Sequence, residues 1–343
     1  MVVYPPYVKV SGKFTVEVSA LVGASALGNY NQIATAKVVL PLGNGKVVAY
    51  EGIPIITGNS LKHWHSVYLA ENYVNLGGKL LNVLCKHGIG VRGYKKDISS
   101  FDSNFEAANS ESEAILDLCN DIHGFLIPDK QLKRDSLVEF SNAIPVLTEE
   151  NLENVSKFAI QHNKVVPRQV KDKTGETMMP FKQEYASVPS YGFAASMDLG
   201  WILRPRYEGN GSVVQLPQGI DANVERRLRA KSSVLALYNL LMGSGSKQAR
   251  ALPIVKLTEL MIVVSNAPIP NLVHGAYVDY AKLSMEILSA YYNAFNKNKS
   301  ISINVHCYGI KDCVSVGNLQ PKVHQSLDSL IESVIDDVEN LMQ

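Results

Sequence analysis

No stretch of this sequence approaches the roughly 20 apolar residues that a membrane-spanning helix needs; the mild run Val38 to Leu42 is far shorter. The N-terminus shows no charged, apolar and small-residue succession of a secretory signal. No sign of charge dominates either: 33 Lys+Arg stand against 32 Asp+Glu, a net charge of +1. No global field therefore draws the chain to nucleic acid or lipid, and any anion site has to be a local patch. Cysteine is scarce, with Cys85, Cys119, Cys307 and Cys313 and no Cys-x-x-Cys. Cys85-x-His87 has no second pair at zinc spacing, so the expectation is buried or incidental thiols in a reduced, cytoplasmic setting, without a metal.

Signatures of catalysis are missing as well. There is no Gly-x-Ser-x-Gly, and no predicted element carries the carboxylate cluster of a metal-dependent nuclease. Asp121 and His123 form at most a small acid/base pair at a helix end. The glycines of Gly243-x-Gly245-x-Lys247 follow a helix and precede a strand. Walker and dinucleotide loops need strand before helix, so both are excluded. No cofactor is expected, and the chain is read as no enzyme.

What is present is the composition of a folded protein, 46% hydrophobic and 19% charged, with legible periodicities. From Val8 to Ala20, Val8, Val10, Phe14, Val16 and Val18 alternate with Lys9, Ser11, Lys13, Thr15 and Glu17. Period-2 alternation predicts a strand with one buried face and one open face bearing Lys9 and Lys13. Leu21 to Thr35 reads as a loop with a helical turn. Gly43-Asn44-Gly45 between two extended runs reads as a hairpin. A helix over 61–73, capped by Asn59 or Ser60, places Leu61, Trp64, His65 and Tyr68 on one face and Lys62 and His63 on the other. His65 is accordingly expected in the core and His63 free to meet a ligand. The stretch 97–113 is acidic and polar, as a surface excursion would be.

Further along, a short helix over 114–125, a strand over 137–144 and a helix from Thr148 to Lys157 are expected. A long hairpin should run from His162 to Phe193, turning at Asp172-Lys173-Thr174-Gly175, with Met178, Met179 and Phe181 near its tip. Large apolar residues beside a charged turn either tuck onto the domain or act as a wedge between stacked bases. Strands over 196–205 and 212–216, a helix from Asp221 to Met242, a strand over 257–264, a helix over 279–295, a strand over 301–308 and an acidic amphipathic helix over 323–341 follow. The expected apolar stripe of the 221–242 helix is Val224, Leu228, Leu235, Tyr238 and Leu241.

Basic residues cluster. Between Trp201 and Arg250 there are Lys/Arg at 204, 206, 226, 227, 229, 231, 247 and 250. A second run holds His162, Lys164, Arg168, Lys171 and Lys173, and a third Lys133 and Arg134. Interleaved with Tyr30, Tyr185, Tyr191 and Phe193, they suit a groove that tracks single-stranded RNA and stacks its bases. The alternative is a set of ordinary solvated faces. In the loop after the long helix, Gly243 and Gly245 let the backbone approach a phosphate, with Lys247, Gln248 and Arg250 beside it.

These motifs, in this order, resemble the DevR family of CRISPR-associated proteins, the Cas seven backbone subunits of type I Cascade in their archaeal Csa-two branch. The resemblance rests on six places: the first strand; Leu27-Gly28-Asn29 before Thr35-Ala36; Pro54 to Leu61; Asp121-Ile122-His123-Gly124-Phe125 with Lys133-Arg134-Asp135-Ser136; His162-Asn163-Lys164; and Ala236 to Leu241 leading into Gly243 to Arg250. It implies an α+β fold in one domain over 1–343: an RRM-like (ferredoxin-like) antiparallel sheet palm, a helical insertion over 74–135 and a thumb hairpin over 160–193. It implies a helical array of copies along CRISPR RNA, with other Cascade subunits and a target DNA strand as partners, in antiviral defence and away from membranes. Its RNA-binding residues would be Asn29, Lys62, His63, Lys133, Arg134, His162, Lys164, Arg168, Met178, Met179, Gly243, Gly245, Lys247, Gln248 and Arg250. The chain departs from the family in having Tyr30-Asn31-Gln32 where basic residues are common, and Lys164 where Arg is common. Two alternatives are a type III backbone subunit cleaving target RNA with Asp121 or Asp135, and a general single-stranded RNA-binding protein.

Overall fold

A computed structural model describes residues 4–19, 23–27, 30–41, 47–102, 104–148, 155–165, 178–243, 254–295 and 301–342. The strands are β1 (Tyr7–Ser19), β2 (Gly23–Leu27), β3 (Tyr30–Ile33), β4 (Thr35–Pro41), β5 (Val47–Pro54), β6 (Phe125–Ile127), β7 (Leu132–Arg134), β8 (Val138–Phe140), β9 (Ile144–Pro145), β10 (Ser156–Val165), β11 (Met178–Met197), β12 (Ile254–Ser265), β13 (Ile303–Tyr308) and β14 (Lys322–His324). The helices are α1 (Gly58–Asn75), α2 (Val83–Lys86), α3 (Glu111–Ala114), α4 (Leu118–His123), α5 (Ala222–Gly243), α6 (Tyr280–Phe295) and α7 (Leu327–Leu341).

The central sheet runs β14-β13-β12-β1-β11-β3-β2, with β8, β9 and β10 also pairing with β11. It is mixed: β11 with β3 and β13 with β14 are parallel, the other pairs antiparallel. The α+β class stands, and the wholly antiparallel sheet does not.

The alternation of β1 does what the pattern dictates. Val8, Val10, Phe14 and Val16 enter one core with Ile262 and Val264 of β12 and the apolar sides of α1, α5 and α7. The other face is covered too, contrary to the expected open face. Met261, Val263, Val305 and Cys307 form a second core with Tyr280, Met285 and Leu288 of α6. The chain before α6 crosses β1 closely: Ser11 Oγ donates to Val273 O at 2.8 Å, and a Cβ on Gly192 would run into the backbone at Ala276. Lys9 Nζ is held by Ser196 Oγ at 2.6 Å, and Lys13 by Glu259 at 2.9 Å.

Several local expectations change. The 21–35 region contains β2 and β3 rather than a helical turn. Thr57 caps α1, its side chain accepting from Ser60 N, because the helix starts one turn earlier than its apolar face suggests. Residues 156 and 157 are strand, so a helix over 148–157 does not extend through them; residues 149–154 lie outside the described residues, as does the Gly43–Gly45 turn. Residues 212–216 belong to no described strand, although Val214 N donates to Leu203 O at 2.9 Å. Asp221 caps α5 as expected, accepting from Asn223 N and Val224 N at 2.8 and 2.9 Å. All four cysteines are bonded, Cys85–Cys119 and Cys307–Cys313, instead of free thiols. Folding brings each pair to Cα separations of 5.7 and 6.5 Å, within reach of a disulfide.

Candidate nucleic-acid interface

β10 and β11 form a long antiparallel arm from Ser156↔Ser187 to Val165↔Met178. Pairing of β1 with β11 ends at Ser19↔Ala186. Beyond it the β11 half of the arm, from Tyr185 back to Met178, is supported by β10 and by two pairs with β3. On the other side of β1, Glu17 pairs with Ile254 of β12. The described ends of β1, β10, β11 and β12 that lead into 20–22, 166–177 and 244–253 therefore all point to one end of the sheet. His162, Lys164, Met178 and Met179 lie on the arm, with Lys164 opposite Met179; their backbone path is described, their side chains are not. Gly243 is the last residue of α5 and exposed, beside the Tyr68 hydroxyl. Asn29, Arg168, Gly245, Lys247, Gln248 and Arg250 lie outside the described residues.

Of the basic patch read between 201 and 231, Arg226 and Arg229 are buried, while Arg204, Arg206, Arg227 and Lys231 stay partly exposed. Arg229 is completely buried. Its Nε meets Glu225 at 2.7 Å, its Nη1 meets Asp121 at 2.8 Å, and it donates to the carbonyls of Ile115 and Leu116. Arg226 is buried and donates to Ile202 O and Gly200 O; burial, aided by Arg204, draws its pKa down to about 10. Arg204 lies over the Tyr4 ring, and Arg206 over Trp201 while pairing with Asp198. The buried side of α5 thus includes Arg226, Arg229, Ala230, Ser233, Val234, Leu237 and Leu241, whereas Val224 of the expected stripe is 65% exposed. Paired arginines are admitted to an interior that would reject lone ones.

Arg134 corrects in the same way. It is 2% exposed and not an RNA contact in this fold. It reaches Asp121 at 2.6 Å and Glu111 at 2.8 Å, and donates to the carbonyls of Asp121, Arg204 and Trp201. Glu111, expected on an acidic surface, is fully buried and also accepts from Arg206 N and Tyr207 N. Asp121 has one oxygen on Arg134 and the other on Arg229. Tyr73 donates to Glu225 at 2.5 Å. The network ties residues 111–134 to α1 and α5. Lys133, next in sequence, is exposed, 3.8 Å from Asp135 and over the Tyr207 ring. The supposed stacking aromatics Tyr185, Tyr191 and Phe193 are core residues, and the half-buried Tyr30 donates to Glu184.

Lys62 and His63 sit together on the first turns of α1, both partly exposed. Burial and the nearby Arg92 hold the Lys62 pKa below its ordinary value. His65 is buried as expected. Its Nε2 faces Ser233 O at 3.0 Å and its Nδ1 faces His123 Nε2 at 3.0 Å. A carbonyl only accepts, so His65 carries its proton on Nε2 and His123 donates to His65. Burial pushes His65 down to about 4, and burial with neighbouring cations pushes His123 well down.

Fold and charge pattern together define a mixed-sheet α+β protein with a long two-stranded arm and local rather than global positive charge. The chain matches the family described as CRISPR-associated negative auto-regulator DevR/Csa2 over residues 10–285, and it belongs to that family. It is 53% identical over 343 residues to "CRISPR-associated protein Cas7/Cst2/DevR" of Thermoproteus tenax, covering 98% of this chain and 96% of that one. A Methanocaldococcus jannaschii protein of the same description is 29% identical, covering 96% and 100%. "CRISPR-associated aCascade subunit Cas7/Csa2 2" of Saccharolobus solfataricus is 25% identical, covering 88% and 92%. A solved chain titled "CRISPR RNA-guided surveillance complex, pre-nicking" aligns with a TM-score of 0.45 at 12% identity, covering 97% and 100%. Among the described residues no helix is long and apolar enough to cross a membrane.

Proposed function

We propose that the chain is a CRISPR RNA-binding backbone subunit of a type I Cascade surveillance complex. Copies line up along the guide spacer in the cytoplasm, beside other Cascade subunits, and hold the guide for pairing with a target DNA strand. The match to the DevR/Csa2 family over 10–285 carries this reading. That span contains the β10–β11 arm, α5 and the central sheet apart from β13, β14 and the first residues of β1. On this reading the sheet with α1 and α5 is the RRM-like palm, residues 74–135 the insertion and the arm the thumb. Met178 and Met179 supply the wedge, and Lys247 to Arg250 contact phosphates. The two disulfides fit an intracellular protein of the kind found in hyperthermophilic archaea.

The subunit is read as non-catalytic. Of the two aspartates that a target-RNA nuclease could use, Asp121 has both oxygens taken by buried arginines, and Asp135 accepts from the Tyr207 hydroxyl. The test is purification without nuclease treatment, sizing, and extraction of bound nucleic acid. A ladder of RNA-bound oligomers is expected, inert toward RNA paired to the guide when magnesium is added. Cleavage lost in Asp135→Ala would replace this reading with the type III one.

A further inference from the structure

We propose that His306 of β13 and His324 of β14 form a proton latch at the edge of the central sheet: the pair admits one proton with every link intact, and a second proton lets β14 go. β14 is the outermost strand of the sheet, three residues long, and pairs with β13 through His306↔Lys322, Cys307↔Val323 and Tyr308↔His324. Lys322 and Val323 are exposed, so little apolar burial holds the strand in place. The latch does not depend on the RNA-binding reading.

A run of side chains joins β13, β14 and α7. His306 is fully buried. Its Nε2 lies 2.9 Å from Asp337 Oδ2 of α7, and its Nδ1 lies 3.1 Å from His324 Nε2. His324 Nδ1 lies 3.2 Å from Ser329 Oγ of α7, which is also 3.1 Å from Ser326 O. Lys322 stands 3.8 Å from Asp337, and β12 sets Ile262 opposite His306. Asp337 and Lys322 are the charged groups that act on the pair. The two rings lie end to end and close to one plane, with centres 5.3 Å apart and 24° between planes. Nitrogens aimed straight at each other in this way share a proton and leave no common point for a metal ion.

The protons can be placed one by one. A carboxylate only accepts, so His306 carries its proton on Nε2, its Nδ1 accepts from His324 Nε2, and His324 Nδ1 accepts from the Ser329 hydroxyl. One added proton reverses the run. His306 becomes an imidazolium beside Asp337 and donates through Nδ1 to His324 Nε2; His324 then holds its own proton on Nδ1 and donates it to Ser329 Oγ, whose hydroxyl turns to Ser326 O. A second proton makes donors of both facing nitrogens and sets two cations 3.1 Å apart, so the central bond is lost. The His65–His123 pair has no such reversal, because a proton on His123 Nδ1 would meet no partner. Burial holds both latch histidines below the ordinary histidine pKa, with Asp337 drawing His306 back up and Lys322 lowering both. The stability that the latch supplies is therefore complete above about 6.5 and is lost as the pH falls below it. Release would leave the outer edge of β13 without a neighbouring strand.

The experiment is hydrogen–deuterium exchange on the full-length protein from about pH 8 down to about pH 4, each amide rate divided by that of the unstructured chain at the same pH. In the wild type, β14 and the first turn of α7 should open as the pH falls below about 6.5, by more than tenfold and up to about a hundredfold per pH unit, because opening takes up more than one proton. Amides of α6, on the other face of the sheet, should stay protected over the same range. His324→Gln leaves one titrating ring, and opening should then change by at most about tenfold per pH unit. Asp337→Asn keeps an acceptor for His306 but removes the charge that favours the first proton, so β14 should open at a higher pH than in the wild type. Exchange of α6 rising in step with β14 would mean acid unfolding of the whole chain and overturns the latch. So does β14 that stays protected to about pH 4, or the same pH slope in the wild type and His324→Gln.

Discussion

Asp121, Arg134, Arg229, Glu111 and Glu225 are placed so that no one of them can be removed alone. Each charge is out of water and balanced only by the others. Breaking such a group by deleting one partner costs about 3–5 kcal/mol, because the orphaned charge stays buried. Arg134→Gln should therefore lower the denaturation midpoint by that order, while RNA affinity per folded molecule stays unchanged. An arginine on the RNA would give the opposite pattern, lost affinity at full stability, and equilibrium unfolding alongside RNA titration separates the two. The buried histidines add a pH dependence. Their folded pKa values lie below the unfolded value, so unfolding takes up a proton on His65 between about 4 and 6.5 and another on His123 as the pH falls below 6.5. The stability they contribute is complete above about 6.5 and is lost as the pH falls through that window. Each proton taken up is worth about 1.4 kcal/mol per pH unit. Burial lifts Asp117 to about 6, and that carboxyl works in the opposite direction between about 4 and 6, so two histidines act against one acid. Urea midpoints should fall from pH 7 to pH 5, and more steeply in Asp117→Asn, which still caps α4.

At the level of elements, the Cys85–Cys119 bond joins α2 to α4, 34 residues apart, and closes the loop that carries Arg92. Cys307–Cys313 closes only 6. Loop-closure entropy gives about 3–4 kcal/mol for the longer loop and about 2 kcal/mol for the shorter. The double variant Cys85→Ser/Cys119→Ser should therefore lose more Tm than Cys307→Ser/Cys313→Ser, and reduction of the wild type should resemble their sum. Elements whose own residues carry a period or a cap were readable from sequence. β1 announces itself by alternation, α7 by its acidic outer face, α5 by Asp221 and Gly243. What was hidden depends on partners distant in sequence. The arginines of α5 look like a solvated face until Asp121, more than 100 residues earlier, takes up Arg229. The covered second face of the sheet depends on residues 271–279, which have no periodicity and press on β1 at Ser11 and on β11 at Gly192.

At the scale of the whole molecule, a net charge of +1 means that neither strong self-repulsion nor a global field opposes or drives stacking of copies. On the proposed reading, association comes from local contacts and from a shared strand of RNA. Past Ser19↔Ala186 the support of the arm narrows to β10 and a short pairing with β3. An element that reaches away from its own core can contact whatever lies next along the RNA, and apolar side chains near its end can part stacked bases at the cost of unstacking them. Single-stranded RNAs of increasing length should then load copies in fixed nucleotide steps, read by mass photometry, and nuclease footprints should repeat with the same period. Replacing Met178 and Met179 by Ala should keep the Tm and the loading but blur the footprint. One copy per RNA whatever its length would mean that the chain binds single strands without assembling, and an unaltered footprint in the double variant would take the wedge away from the arm.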